Sequence, residues 1–156
     1  FIFNENDIPQ SINSHGVVAP GISNKNIDGI QFSSYKWNGR VQTGKVLIRG
    51  FFGGPNTREI LEEKDELILE KVLEDIKNIL NITTTPLNSY LKKWINSYPQ
   101  YDINHASLIL KIKNNLPSNI KISGNAYHGI GMPDTVNSAK RAAEEIEIDI
   151  KENEKL

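Results

Sequence analysis

The chain contains no cysteine. That excludes disulfide frameworks, thiol nucleophiles and thiolate metal sites, and it fits a reducing compartment. It has three histidines, His15, His105 and His128, far apart and with no i, i+4 pair among them. No metal-ligand motif follows from them, because the carboxylates needed to complete a site are supplied by no recognisable spacing. Charge of one sign is also missing. Eighteen Lys and Arg against 19 Asp and Glu leave a net charge of -1. A balanced chain offers no electrostatic case for nucleic acid as a partner or for an anionic membrane surface. No apolar run approaches the roughly 20 residues that a membrane-spanning helix needs, and no signal peptide is visible. A cytoplasmic protein is expected.

What is present is enough for an ordinary globular domain: 156 residues, 38% hydrophobic and 24% charged. Strand character comes first. Residues 1–3, 15–20 and 27–37 are short β-like runs. Asn38-Gly39 is a hairpin-type turn signal, and residues 45–52 form the clearest strand, closed by Gly53-Gly54-Pro55. These runs predict an antiparallel sheet. Leu67, Leu69, Val72, Leu73, Ile76, Ile79 and Leu80 then recur at helical spacing, and the Glu and Lys residues between them read as a solvated face. Residues 86–94 return to strand character. A second, shorter helix is predicted over 104–115 and is ended by Pro117. Residues 120–123 read as a strand, and a long final helix runs into a polar tail at 151–155. Asn81-Ile82-Thr83 matches the glycosylation acceptor pattern, which is irrelevant in a cytoplasmic protein.

The segment between that last strand and helix carries the chemistry. It reads Gly124-Asn-Ala-Tyr-His-Gly-Ile-Gly-Met-Pro-Asp134. Gly124, Gly129 and Gly131 allow a tight turn that lies close to a flat ligand. Pro133 suits the first turn of a helix, and Asp134 complements the positive helix end. A strand–turn–helix of this kind presents free N–H groups to an electron-rich edge, or merely joins two elements. Trp94, beside the Tyr98-Pro-Gln-Tyr101 turn, is either a core side chain or a plate against a planar cofactor. No pair of carboxylates lies in an apolar setting suited to acid–base work, so no catalytic side chain is singled out.

Taken together, Trp94, Pro99-Gln100-Tyr101, His105 and the Gly-x-Gly-Met-Pro-Asp run resemble the carboxy-terminal part of the flavin-dependent porphyrinogen oxidases of haem biosynthesis. Gly16-Val-Val-Ala-Pro20, Ser34-Tyr-Lys-Trp37 and residues 45–54 resemble the same family in the same order. Two positions depart from it: Thr135 stands where relatives often carry cysteine, and Ala139 where they often carry glycine. The resemblance implies an α+β (α/β) fold. An antiparallel substrate-domain sheet with a covering helix would occupy residues 1–94. A returning strand and long helix of a Rossmann-like FAD domain would occupy 95–156. It further implies that Gly129, Ile130, Gly131, Met132 and Pro133 line the pyrimidine side of the flavin ring and that Trp94 contacts the flavin region.

The Gly-x-Gly-x-x-Gly dinucleotide fingerprint is absent. With an opening Phe1-Ile-Phe3 in place of Met, this predicts a carboxy-terminal fragment of a longer enzyme, lacking the amino-terminal FAD-binding half. By itself it is expected to be inactive, to hold little FAD, and to self-associate through uncovered apolar surface. The implied activity of the parent is oxidation of a porphyrinogen by hydride transfer to FAD, with molecular oxygen as terminal acceptor. The Lys-, Asn- and Ile-rich composition suggests an AT-rich, Gram-positive source. Within the family that favours coproporphyrinogen III over protoporphyrinogen IX. Another amine-oxidase-like flavoenzyme and a non-enzymatic α+β binding module are the remaining alternatives. Any membrane contact of such an enzyme is expected to be peripheral.

Overall fold

The computed structural model describes residues 1–12 and 14–153. The predicted polar tail is helical through Asn153, and its last residues lie outside the described ones. The chain divides into two compact units, Phe1–Lys93 and Trp94–Leu156.

The first unit is built on a four-stranded antiparallel sheet. Its strands are β1 (Ile2–Asn4), β2 (Gly16–Val18), β3 (Gly29–Phe32) and β4 (Lys45–Phe51), arranged β1-β4-β3-β2. β4 is the predicted best strand and occupies an interior position because it pairs on both edges. Phe3 lies opposite Val46, and Ile30 opposite Gly50. The register puts Ile30, Phe32, Val46 and Ile48 on one buried face, with Gln31, Arg49 and Phe51 on the other.

Helix α2 (Asp65–Leu80) covers the buried face. Ile68, Val72, Ile76 and Leu80 fall on its inward stripe; Val72, Ile76 and Leu80 are among the residues the spacing picks out, whereas Ile68 is not and Leu67, which is, stays exposed. The approach is close. A Cβ added at Gly50 would stand 2.7 Å from Val72 Cγ1 and 3.1 Å from Ile76 Cδ1, so the missing side chain lets helix and sheet meet. Asp65 and Glu66 in the first turn suit the helix dipole. At the other end Asn81 adopts the left-handed conformation (φ 55°), and the Ile82 N–H returns to Lys77 O at 3.0 Å, a Schellman-type stop. The Asn-Ile-Thr pattern is thus the cap of a helix, with Ile82 in the core.

Four expectations change. The run at 27–37 does not stay extended. β3 ends at Phe32, and α1 (Ser33–Lys36) follows. The reason is a tertiary contact: Ser34 Oγ accepts the Leu47 N–H at 3.1 Å, which places a helical turn beside β4. Residues 86–94 form no strand; a bridge between Ile2 and Asn88 joins them to the sheet, and Leu91 packs against the core. Residues 120–123 are likewise unpaired, because none of the four strands falls in the second unit and a strand exists only by pairing. The acidic face of α2 is not wholly solvated either. Asp75 is buried and accepts the Asn26 N–H at 2.6 Å and the Asn26 side-chain amide at 3.1 Å, with Lys25 Nζ 3.5 Å away. The fold class itself is the predicted one: mixed α+β, with an antiparallel sheet, a covering helix and a long final helix.

The second unit holds α3 (His105–Asn115) and α4 (Met132–Asn153), joined by the glycine segment. Ile109 of α3 is buried. Lys121 Nζ reaches Asp149 Oδ2 at 2.7 Å and ties the segment's approach to the far part of α4. Among the described residues, no helix is long and apolar enough to cross a membrane.

Candidate functional site: the glycine loop and the start of the final helix

The loop is shaped by two glycines in conformations that side chains rarely adopt, Gly124 (φ 128°) and Gly129 (φ 125°). The Tyr127 N–H returns to Gly124 O at 3.3 Å and closes the first turn. The Gly124 N–H donates to the hydroxyl of Ser138, buried in α4, at 3.3 Å, anchoring the loop's entrance on the helix it leads to. At its exit α4 begins at Met132. The Thr135 N–H and Thr135 Oγ1 both donate to Gly131 O, at 2.9 and 3.0 Å, and Pro133 sits in the first turn where its missing donor is no loss. Thr135, at the position that departs from the family pattern, is therefore a local clasp of the helix start.

The glycines differ in what they permit. A Cβ on Gly129 would lie 2.7 Å from Asp134 Cβ and 2.8 Å from its Cγ and Oδ2. A Cβ on Gly131 would meet only Asp134 Oδ2 closely, at 2.9 Å. The Asp134 carboxylate thus folds back beside both glycines, at the end of the helix that favours negative charge.

Two aromatic rings hold the loop from below. Tyr101 Oη accepts the Gly129 N–H at 2.8 Å and donates to Asn125 O at 2.5 Å. The His105 ring lies parallel to the Tyr101 ring, centroids 4.0 Å apart and planes within 5°. His105 Nε2 is 3.1 Å from Tyr127 O. A carbonyl only accepts, so Nε2 carries the proton. Sequence reasoning had no role for these two side chains beyond family likeness. No helical spacing signals the pairing, because Tyr101 precedes α3 and only His105 lies in it. His128 is on the exposed side of the loop. Its pKa is lowered, first by desolvation and then by the nearby positive charges of Lys113, Arg141 and His105.

The predicted flavin residues fall as follows. Gly129, Ile130, Gly131, Met132 and Pro133 form one continuous surface strip. Met132 is 85% exposed and Ile130 40%. Trp94 opens the unit and is 73% exposed, so it is not a core side chain. Of the strip's donors, the Gly129 N–H is already taken by Tyr101, whereas the amides of Ile130, Gly131, Met132 and Asp134 donate to no acceptor among the described residues. An exposed backbone strip with hydrogen-bond donors at a helix amino terminus fits the electron-rich edge of a planar heterocycle. Among the described residues, no three His, Asp or Glu side chains are gathered as a metal site would require.

Comparison with known proteins agrees with this chemistry. The family model for flavin-containing amine oxidoreductases matches residues 3–147. The coproporphyrinogen III oxidase of Bacillus subtilis (strain 168) is 28% identical over 143 residues, covering 90% of this chain and 30% of the relative. The enzyme of the same name from Staphylococcus aureus is 26% identical over 147 residues, covering 92% and 32%. A crystal structure from Exiguobacterium sp. 255-15, provisionally named a protoporphyrinogen oxidase, superposes with a TM-score of 0.79 at 29% identity, over 95% of this chain and 33% of that one. The chain thus spans about a third of the length of these relatives. With its family model matched almost end to end and a relative's fold reproduced over both units, the chain belongs to the flavin-containing amine oxidoreductases.

Proposed function

We propose that this chain is part of an oxygen-dependent flavoprotein that oxidises a porphyrinogen to its porphyrin, with coproporphyrinogen III as substrate. The observation that carries the reading is the exposed strip Gly129–Ile130–Gly131–Met132–Pro133 at the start of α4, in a chain aligned over nine-tenths of its length with coproporphyrinogen III oxidases. FAD, when bound, supplies the hydride acceptor. The chain's own residues then bind and orient. The strip lies along the pyrimidine edge of the ring, and the amides of Met132 and Asp134 with the helix dipole favour negative charge there. Trp94 contributes a flat apolar surface near the ring.

No side chain of this chain is assigned a proton transfer. Its contribution is orientation and exclusion of water. In this reading the antiparallel sheet unit belongs to the substrate-binding domain and the α3–α4 unit to the FAD-binding domain. The exposed apolar residues of α4, Val136, Ile148 and Ile150 among them, meet the remaining two-thirds of the polypeptide or, in their absence, a second copy. The enzyme is cytoplasmic and touches the membrane only peripherally.

The test is purification of the natural full-length protein, with FAD measured spectrophotometrically and turnover of both porphyrinogens followed by porphyrin fluorescence and peroxide release. Stoichiometric FAD and faster turnover of coproporphyrinogen III are expected. A colourless protein would sink the flavin reading. Faster turnover of protoporphyrinogen IX would establish the second reading, which the name of the Exiguobacterium structure favours.

A further inference from the structure

We infer that Tyr101 and His105 are positioning residues for the cofactor strip: a stacked pair that grips three alternate backbone groups of the glycine loop and sets where the α4 amino terminus points. The three groups are Asn125 O, Tyr127 O and the Gly129 N–H, held by Tyr101 Oη, His105 Nε2 and Tyr101 Oη respectively. One hydroxyl therefore bridges the two limbs of the loop, donating to one and accepting from the other. The imidazole holds the residue midway between them. The parallel ring contact at 4.0 Å fixes the orientation of both heads at once.

Two consequences follow. The Gly129 conformation, with φ at 125°, is held from outside the loop as well as by glycine's freedom. The Gly129 amide is also withdrawn from any ligand, so the donors the strip offers to a flavin edge lie after Gly129. The two Tyr101 bonds are exposed, so water can replace them, while the His105–Tyr127 contact is partly buried. The pair's effect is to restrict the loop to one conformation more than to stabilise the fold.

This inference rests on the flavin reading above, and its test separates the two. Tyr101→Phe keeps the ring stack and removes the bridge. His105→Phe keeps an aromatic ring and removes the Nε2–H. Both are made in the natural full-length protein. Hydrogen exchange is measured on the FAD-free form for the peptide covering 124–131, alongside FAD dissociation constant and flavin absorption spectrum. Tyr101→Phe should speed exchange at Gly129 about three- to tenfold, the range set by one net hydrogen bond, with the interiors of α3 and α4 unchanged. It should also weaken FAD binding by a similar factor and shift the flavin absorption band. His105→Phe should weaken FAD binding in the same direction while leaving the Gly129 amide slower to exchange than in Tyr101→Phe. Unchanged exchange in Tyr101→Phe would overturn the positioning role outright. Faster exchange with wild-type FAD affinity and spectrum would overturn its connection to the cofactor. If the wild-type protein binds no FAD, the flavin reading fails, and the exchange measurement still decides whether the two rings hold the loop.

Discussion

Gly129 and Gly131 look equivalent in sequence, and the structure separates them sharply enough to measure. Replacing Gly129 with alanine imposes a side chain at φ 125°, a conformation whose strain is about 1–3 kcal/mol for a non-glycine residue. The new Cβ also lies 2.7 Å from Asp134 Cβ. That atom is one bond from the helix backbone and cannot rotate away, so the first turn of α4 must shift, at an overpacking cost of about 1–3 kcal/mol. Replacing Gly131 meets only Asp134 Oδ2, the tip of an exposed carboxylate, and its φ is not in the left-handed range. Its strain is near zero, and the stiffer unfolded chain returns about 0.4–1 kcal/mol.

A gap of at least ~2 kcal/mol, near thirtyfold in a local opening equilibrium, is therefore expected between Gly129→Ala and Gly131→Ala. Native-state hydrogen exchange at the Thr135 amide, which closes the first α4 hydrogen bond on Gly131 O, reads this opening directly. Adding Asp134→Ala to Gly129→Ala removes the contacts with Cγ and Oδ2 but neither the Cβ contact nor the φ strain, so it should restore only a minor part. Exchange at Thr135 accelerated equally by both single substitutions, or more by Gly131→Ala, would refute the reasoning. In the FAD-binding protein Gly131→Ala has a second use. Weakened FAD binding without faster exchange is the mark of a residue that touches the ring.

Three further outcomes are open to measurement. Ile76→Ala, at a fully buried position of α2 against Gly50, should lower the stability of the sheet unit by about 2–5 kcal/mol in urea unfolding followed by circular dichroism. Thr57→Val should cost about 1–3 kcal/mol in the same assay. The Thr57 hydroxyl accepts the Gly53 N–H at 2.8 Å and donates to Asp28 Oδ2 at 2.9 Å, and valine fills the space without either bond. His128 has a pKa below the ordinary imidazole value of 6.5, so the unfolded chain takes up its proton first as pH falls. Its contribution is complete above that value and is lost on acidification through the lower folded pKa. His128→Gln should therefore flatten the fall in thermal stability between about pH 7 and pH 5; an unchanged slope would remove His128 as a source of it.

Much of this molecule follows from residues close together in the chain. The spacing of Val72, Ile76 and Leu80 determines α2 and most of its buried face. The β-branched run around Val46 and Ile48 determines β4. Gly-x-Gly-Met-Pro-Asp determines a tight loop opening a helix, because glycine freedom, proline at the first turn and an acidic helix start act within a few residues of one another. The same motif carries the family likeness, since a strip of backbone is written in consecutive residues.

What only the tertiary structure decided depends on partners distant in sequence. Residues 86–94 and 120–123 have strand composition but find no strand to pair with, and composition cannot supply a hydrogen-bonding neighbour. The run at 27–37 breaks at Phe32 because Ser34 Oγ meets the Leu47 N–H thirteen residues away. Asp75, apparently one more charge on a wet helix, is buried because Asn26 arrives at its carboxylate from forty-nine residues away. The clearest instance is Tyr101. Twenty-eight residues of chain separate its hydroxyl from the Gly129 amide. Folding alone determines that this one amide of the strip is engaged by a side chain and withheld from a ligand.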